Sequence, residues 1–207
     1  VLVIILPGIF AWWLTRKSSG KKVILTFTAI YGIYLISAFN LYKINDDFNI
    51  AAWVFYKKKN FIEIGNEHNA SMVSLPDFEC SGTSILMHAP KAFSNVMFRP
   101  FLTDSNNNPL ILLAALENLM LLLMFILFIV SFRIKVKKLD GLIALSMLYI
   151  ALIFVLIGLI TPVLGAIVRY KIVAMPCLVF LLVYFYDREK LISRIPFFKL
   201  LFRKRSS

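Results

Sequence analysis

One run of residues limits the possible folds more than any other. Pro109 opens a stretch of about 23 almost wholly apolar residues that ends at Arg133, with Lys135, Lys137 and Lys138 close behind. A helix of that length reaches across the hydrocarbon core of a bilayer, and the basic residues mark where it leaves the lipid. Glu117 and Asn118 lie inside the run. Hydrocarbon tolerates an ionisable side chain only where it meets a partner, the bundle interior or water, so this pair is the first candidate for function.

The rest of the chain repeats the pattern. Hydrophobic residues make up 60% of the 207, against about 45–50% in a soluble domain, and the mean hydropathy is +0.81. The expected fold is all-α: a polytopic transmembrane helical bundle with an extracytoplasmic segment containing interfacial helices. The net charge of +12 raises the question of nucleic acid. Its distribution answers it, because Lys and Arg crowd the short segments between apolar blocks, as they do in cytoplasmic loops. The expected partner is membrane lipid, with no nucleic acid. Val1 falls inside an apolar run with no basic leader ahead of it. The chain is therefore read as the C-terminal part of a longer polytopic protein.

Residues 1–42 hold the end of one spanning helix, a loop with Arg16, Lys17, Lys21 and Lys22, and a second span over 23–42. Trp12 and Trp13 are placed like an interfacial belt. Residues 43–108 form a polar, extracytoplasmic segment. Residues 109–186 carry three spans, the last entered through a Thr161-Pro162 turn, and 187–207 are a basic tail. The two basic loops and the tail hold fifteen Lys and Arg against three acids, whereas 43–108 holds six against seven. If every apolar block spans once, the basic segments share one side, and the positive-inside rule makes that side cytoplasmic. The IPFFKLLFRKR run of the tail reads either as an amphipathic helix on anionic lipid or as an ordinary positive-inside anchor.

Within 43–108, the patch from Phe48 to Tyr56 is too short to cross a membrane and is closed by Lys57, Lys58 and Lys59. A short interfacial helix is expected there. Residues 60–82 read as loop, with Asn69-Ala70-Ser71 matching a glycosylation triplet. Ser84 to Phe101 regains helical periodicity through Leu86, Phe93, Val96, Met97 and Phe101, with Pro90 opening the helix. It is expected to run along the membrane boundary.

The sequence holds no hydrolase triad, P-loop or Rossmann glycine pattern. His68 and His88 are isolated, and Cys80 and Cys177 make no framework, so neither a metal nor another cofactor is expected. Glu117 lies about 12 Å along its helix from Pro109, and Arg169 about 10 Å from Pro162. Counted from one surface, the two can meet. Arg99, Arg169 and Lys171 could grip a phosphate-bearing head group, with Tyr170 and Asn118 beside them. Glu117 would orient Arg169 or act catalytically as general base. Pro176 deprives the Ile172 carbonyl of its helical donor and leaves it open to a ligand. Two structural readings stand alongside: a Glu117–Arg169 ion pair that only holds helices together, and a Lys171 that snorkels to the surface.

The runs HAPKAFSNVMFRPFLTDSNNNPLILLAALENL and GAIVRYKIVAMPCLVFLL, within residues 88–182, resemble the C-terminal half of a poorly characterised group of bacterial inner-membrane proteins. In that group an AP-x-A-F…FRPF stretch precedes an ALEN-type helix, and an RYK-I-x-x-MP helix comes last. Members are met among surface-polysaccharide assembly genes, and the architecture is similar to O-antigen polymerases and ligases. Leu102 and Thr103 stand where the group often has a Trp or an acidic residue. The resemblance implies a polymerase or ligase of lipid-diphosphate-linked oligosaccharide in the bacterial inner membrane, with 43–108 in the periplasm. Two other classes stay open. One is a non-catalytic subunit docking other envelope proteins, and the other is a transporter of an anionic or lipid-linked solute.

Overall fold

The computed structural model describes residues 2–68, 70–73, 79–105, 108–131, 139–187, 190–191 and 194. The basic loop 133–138, Asn69 of the glycosylation triplet and most of the tail lie outside the described residues. The fold is an all-α bundle, as expected. Its helices are α1 (Leu2–Thr15), α2 (Lys21–Asn40), α3 (Ile50–Glu67), α4 (Gly82–Phe98), α5 (Pro109–Ser131), α6 (Gly141–Ile160), α7 (Leu164–Lys171) and α8 (Met175–Tyr184). Among the described residues, four segments are long and apolar enough to cross a membrane: Lys21–Lys43, Pro109–Ser131, Gly141–Ile160 and Leu164–Tyr184.

The hub is α6. Asp140 caps it by accepting the Ile143 N–H at 2.9 Å. Its sequence is apolar on every side, and a helix of that kind needs neighbours all round. Ile143, Ile150, Ile153, Phe154 and Ile157 are all buried, and α1, α2, α3, α4 and α8 surround it. The longest helix, α5, is peripheral by comparison. It buries Ala115, Asn118 and Ser131 and leaves Leu110, Leu113, Met120 and Ile126 exposed. Similar exposed apolar rows on α1 and α2 make a surface that suits lipid better than water.

The two ends of the bundle differ. At one, the Gly20 N–H donates to the Leu139 carbonyl at 2.8 Å, with Gly20 at φ 67, a conformation glycine adopts without a Cβ clash. Arg16, Lys17, Lys21 and Lys22 therefore gather where α6 begins; we call this the basic end. At the other, Met72 and Val163 form an isolated antiparallel bridge, flanked by Val73 N–H to Pro162 O at 2.8 Å and Leu164 N–H to Ser71 O at 3.0 Å. This bridge end ties the polar segment to the α6–α7 turn, and Val73 is buried in the main core beneath it.

Three local expectations need correction. The short interfacial helix continues through the lysines to Glu67, absorbing the first part of the expected loop. Asn49 caps it by accepting the Ala52 N–H at 3.0 Å, Phe61 and Ile62 extend its apolar face, and Gly65 fits under Met72 and Val163. The 163–186 span is broken. A 3-10 turn over Ile172–Ala174 separates α7 from α8, because Pro176 lacks the N–H that would continue the α-helical ladder.

The third correction matters most for the site. The fourth helix begins at Gly82 rather than Pro90, with Ser81 accepting the Ser84 N–H. Its second half packs into the bundle against α6. It starts beside Phe39 near the end of α2 and runs antiparallel to α6 into the bundle. Ala92 sits against Gly158, so closely that a Cβ there would strike the Ala92 backbone carbonyl. Phe93 then packs on Phe154, ring centroids 5.7 Å apart. Phe154 lies about 9 Å below the end of α6 at 1.5 Å per residue. Burial of Ile85, Ala92, Val96 and Met97 offsets the one helical bond lost at Pro90. From Arg99 the chain leaves the helix in extended conformation, makes a short 3-10 turn over Leu102–Ser105 and leads to α5. Helix α4 thus enters from the bridge end and stops part-way along α6.

Candidate functional site

Ending a helix inside a bundle leaves its last carbonyls without intrahelical donors. At membrane depth such groups must be satisfied by protein. Here Asn118 and Lys171 do it. The Asn118 Nδ2 donates to Phe98 O at 2.6 Å and to Pro100 O at 3.3 Å. The Lys171 Nζ donates to Arg99 O at 3.2 Å and to Asn118 Oδ1 at 2.7 Å. Both side chains are sealed, 1% and 6% exposed. An ammonium buried this deeply is costly unless hydrogen-bonded. The negative end of the α4 dipole lies beside it and favours the cation.

The arrangement excludes two of the sequence readings. Lys171 does not snorkel, since its amine points into the protein. Glu117 and Arg169 form no ion pair, and both are exposed. Helix phase explains this. Leu164, Ile167 and Lys171 form the buried stripe of α7, and Arg169, two residues from Lys171, is turned about 200° away from it. Glu117 is about 100° from the inward Asn118 and stands on the flank of α5. The residues that meet at matching depth are therefore Asn118 and Lys171, one position along from each expected partner or two.

The expected phosphate grip is only partly available. The void beside Lys171, lined by Asn118, Phe154 and Met175 among others, is about 10 Å³, room for one water at most. A phosphate does not reach the Lys171 amine. Arg99 is held in its own turn. Its Nη1 lies 3.4 Å from Asp104 Oδ1, Asp104 Oδ2 accepts the Phe101 N–H at 2.9 Å, and the guanidinium carbon lies 5.6 Å from the Phe101 ring centroid. The Ile172 carbonyl is not open to a ligand, because the Met175 N–H donates to it. Arg169 and Tyr170 remain at the surface of α7, the Tyr170 ring edge-on to Phe61 at 6.3 Å.

The other candidates stay apart. His68 caps the end of α3, and His88 Nδ1 lies 2.7 Å from Ser84 O within its own helix. Cys80 is exposed and Cys177 half-buried. No group of three metal-ligating side chains occurs among the described residues. Sequence reasoning passed over Gly158, the position that admits α4. Its signal was a lone glycine in a run of Leu, Ile, Val and Phe.

No family model, curated protein or solved structure matches the chain.

Proposed function

We propose that this is a multi-pass protein of the bacterial inner membrane that joins lipid-diphosphate-linked glycans at its bridge end. The observation that carries the reading is the exposure of Glu117, Arg169 and Tyr170 about 10–12 Å inside apolar spans, around a sealed Asn118–Lys171 node. Charge left exposed at that depth calls for water or a polar ligand. The resemblance of residues 88–182 to proteins of polysaccharide assembly supplies the substrate class. The gathering of basic residues where α6 begins supports a cytoplasmic basic end, which puts the bridge end on the outer face.

In this reading Arg169 stabilises the leaving diphosphate, Tyr170 lines the approach, and Arg99 joins when the substrate phosphate competes with Asp104. The acceptor hydroxyl attacks the anomeric carbon and its proton passes to Glu117. The bond from that carbon to the diphosphate oxygen breaks, and the diphosphate leaves with the electron pair. Asn118 and Lys171 position the Arg99 turn and touch no substrate.

A second reading has one observation in its favour: Arg99 and Lys171 both have partners within the chain. The exposed residues would then dock another envelope protein. A gel of surface polysaccharide from cells carrying Arg169→Ala separates the two, with membrane level of the protein checked. Long glycans collapsing to single repeats, or failing to reach their acceptor, supports the enzyme. An unchanged pattern at normal protein level sinks it.

A further inference from the structure

Far from the bridge end, α5 and α8 leave an apolar groove of about 260 Å³ between them, lined by Met124, Leu127, Phe128, Leu182, Val183 and Tyr186. Val183 on its wall is 63% exposed. Just past its end stands a cation. Arg194 Nη1 donates to the Val130 carbonyl at 3.3 Å, and Val130 follows Phe128 by two residues, about 3 Å along the helix. A guanidinium carries five N–H donors, and this bond uses one. Arg194 is exposed, so its guanidinium is accessible to a ligand beyond the end of the groove. An apolar slot with a fixed, planar, phosphate-matching cation at its end has the shape and charge of one lipid.

We propose that the α5–α8 groove binds one acyl chain of an anionic phospholipid whose phosphate is held by Arg194 at the basic end. The site is independent of the glycan reading, since it shares no residue with it and lies toward the opposite end of the bundle. It also gives Arg194 a task beyond bulk positive-inside charge: it anchors a specific lipid against the end of α5, pinning α5 to α8.

The test is native mass spectrometry of the full chain in detergent, offered equal amounts of phosphatidylglycerol and phosphatidylcholine. The expected result is preferential retention of phosphatidylglycerol. Arg194→Gln should lower that retention by about five-fold, the effect of one basic side chain beside an anionic head group, and lower phosphatidylcholine less, because the choline cation of that lipid already offsets its phosphate. Val183→Trp, or Leu127→Trp from the opposite wall should the first variant unfold, fills the groove and should lower retention of both lipids. Equal binding of the two lipids by the unaltered protein overturns the proposal. So does phosphatidylglycerol binding that survives Arg194→Gln, or that is indifferent to a filled groove.

Discussion

The Lys171 Nζ and Asn118 Oδ1 meet at 2.7 Å although 53 residues separate them. Each stands nine residues past the proline that precedes or opens its span, Pro162 and Pro109. That equality of depth lets one node satisfy three consecutive carbonyls, those of Phe98, Arg99 and Pro100. Helix α4 ends where it does because two membrane-span side chains are waiting for its backbone.

Lys171→Met should therefore destabilise the fold without touching the exposed groups. It leaves Arg99 O and Asn118 Oδ1 buried and short of a donor, a cost of about 2–4 kcal/mol. Thermal unfolding in detergent reads the cost, and faster proteolysis between residues 82 and 105 locates it. An unchanged unfolding temperature would mean that Asn118 alone holds the turn.

The partnership of the two residues has its own measurement. In a cycle of Lys171→Met, Asn118→Leu and the double variant, the double should cost less than the sum of the singles, with a coupling of at least about 1 kcal/mol. Strict additivity would show that each acts separately on the α4 carbonyls.

What the sequence made legible follows from this geometry. Span length and charge asymmetry are local quantities, so Pro109–Ser131 and Gly141–Ile160 could be read directly. Asn118 and Lys171 were recognisable as polar intruders, but their pairing was not. Which side of α5 and α7 faces inward depends on α4 entering the bundle, and that depends on a missing side chain at Gly158. Pro90 pulled the expected helix start eight residues late, because a proline more often opens a helix than sits within one. Glu117 and Arg169 were matched by depth alone, whereas about 200° of helical phase turns Arg169 away from the contact.

Two of the span glycines offer an internal control. A Cβ at Gly158 would strike the Ala92 carbonyl, whereas at Gly165 nothing lies within 4 Å. Gly158→Ala should force α4 from α6 and cost about 1–3 kcal/mol. Gly165→Ala should be neutral or stabilise by up to about 1 kcal/mol, because alanine restricts the unfolded chain and favours helix. Unfolding temperatures of the two variants should move apart. If both fall together, the close packing of α4 on α6 is not what excludes a side chain at Gly158.

Chain orientation can be tested with a residue already present. Cys80 is exposed and lies in the polar segment 79–82 that leads into α4, toward the bridge end. In a Cys177→Ser background, a membrane-impermeant maleimide added to spheroplasts should label Cys80 without permeabilisation. With Cys80 also replaced by serine, Lys17→Cys at the basic end should label only after the membrane is opened. Moving a cluster of Lys and Arg through the bilayer is opposed far more than moving the near-neutral 43–108 segment. Labelling of Lys17→Cys on intact spheroplasts would reverse the orientation, put Arg169 and Glu117 nearer the cytoplasmic face, and remove the outer-face glycan reaction with them.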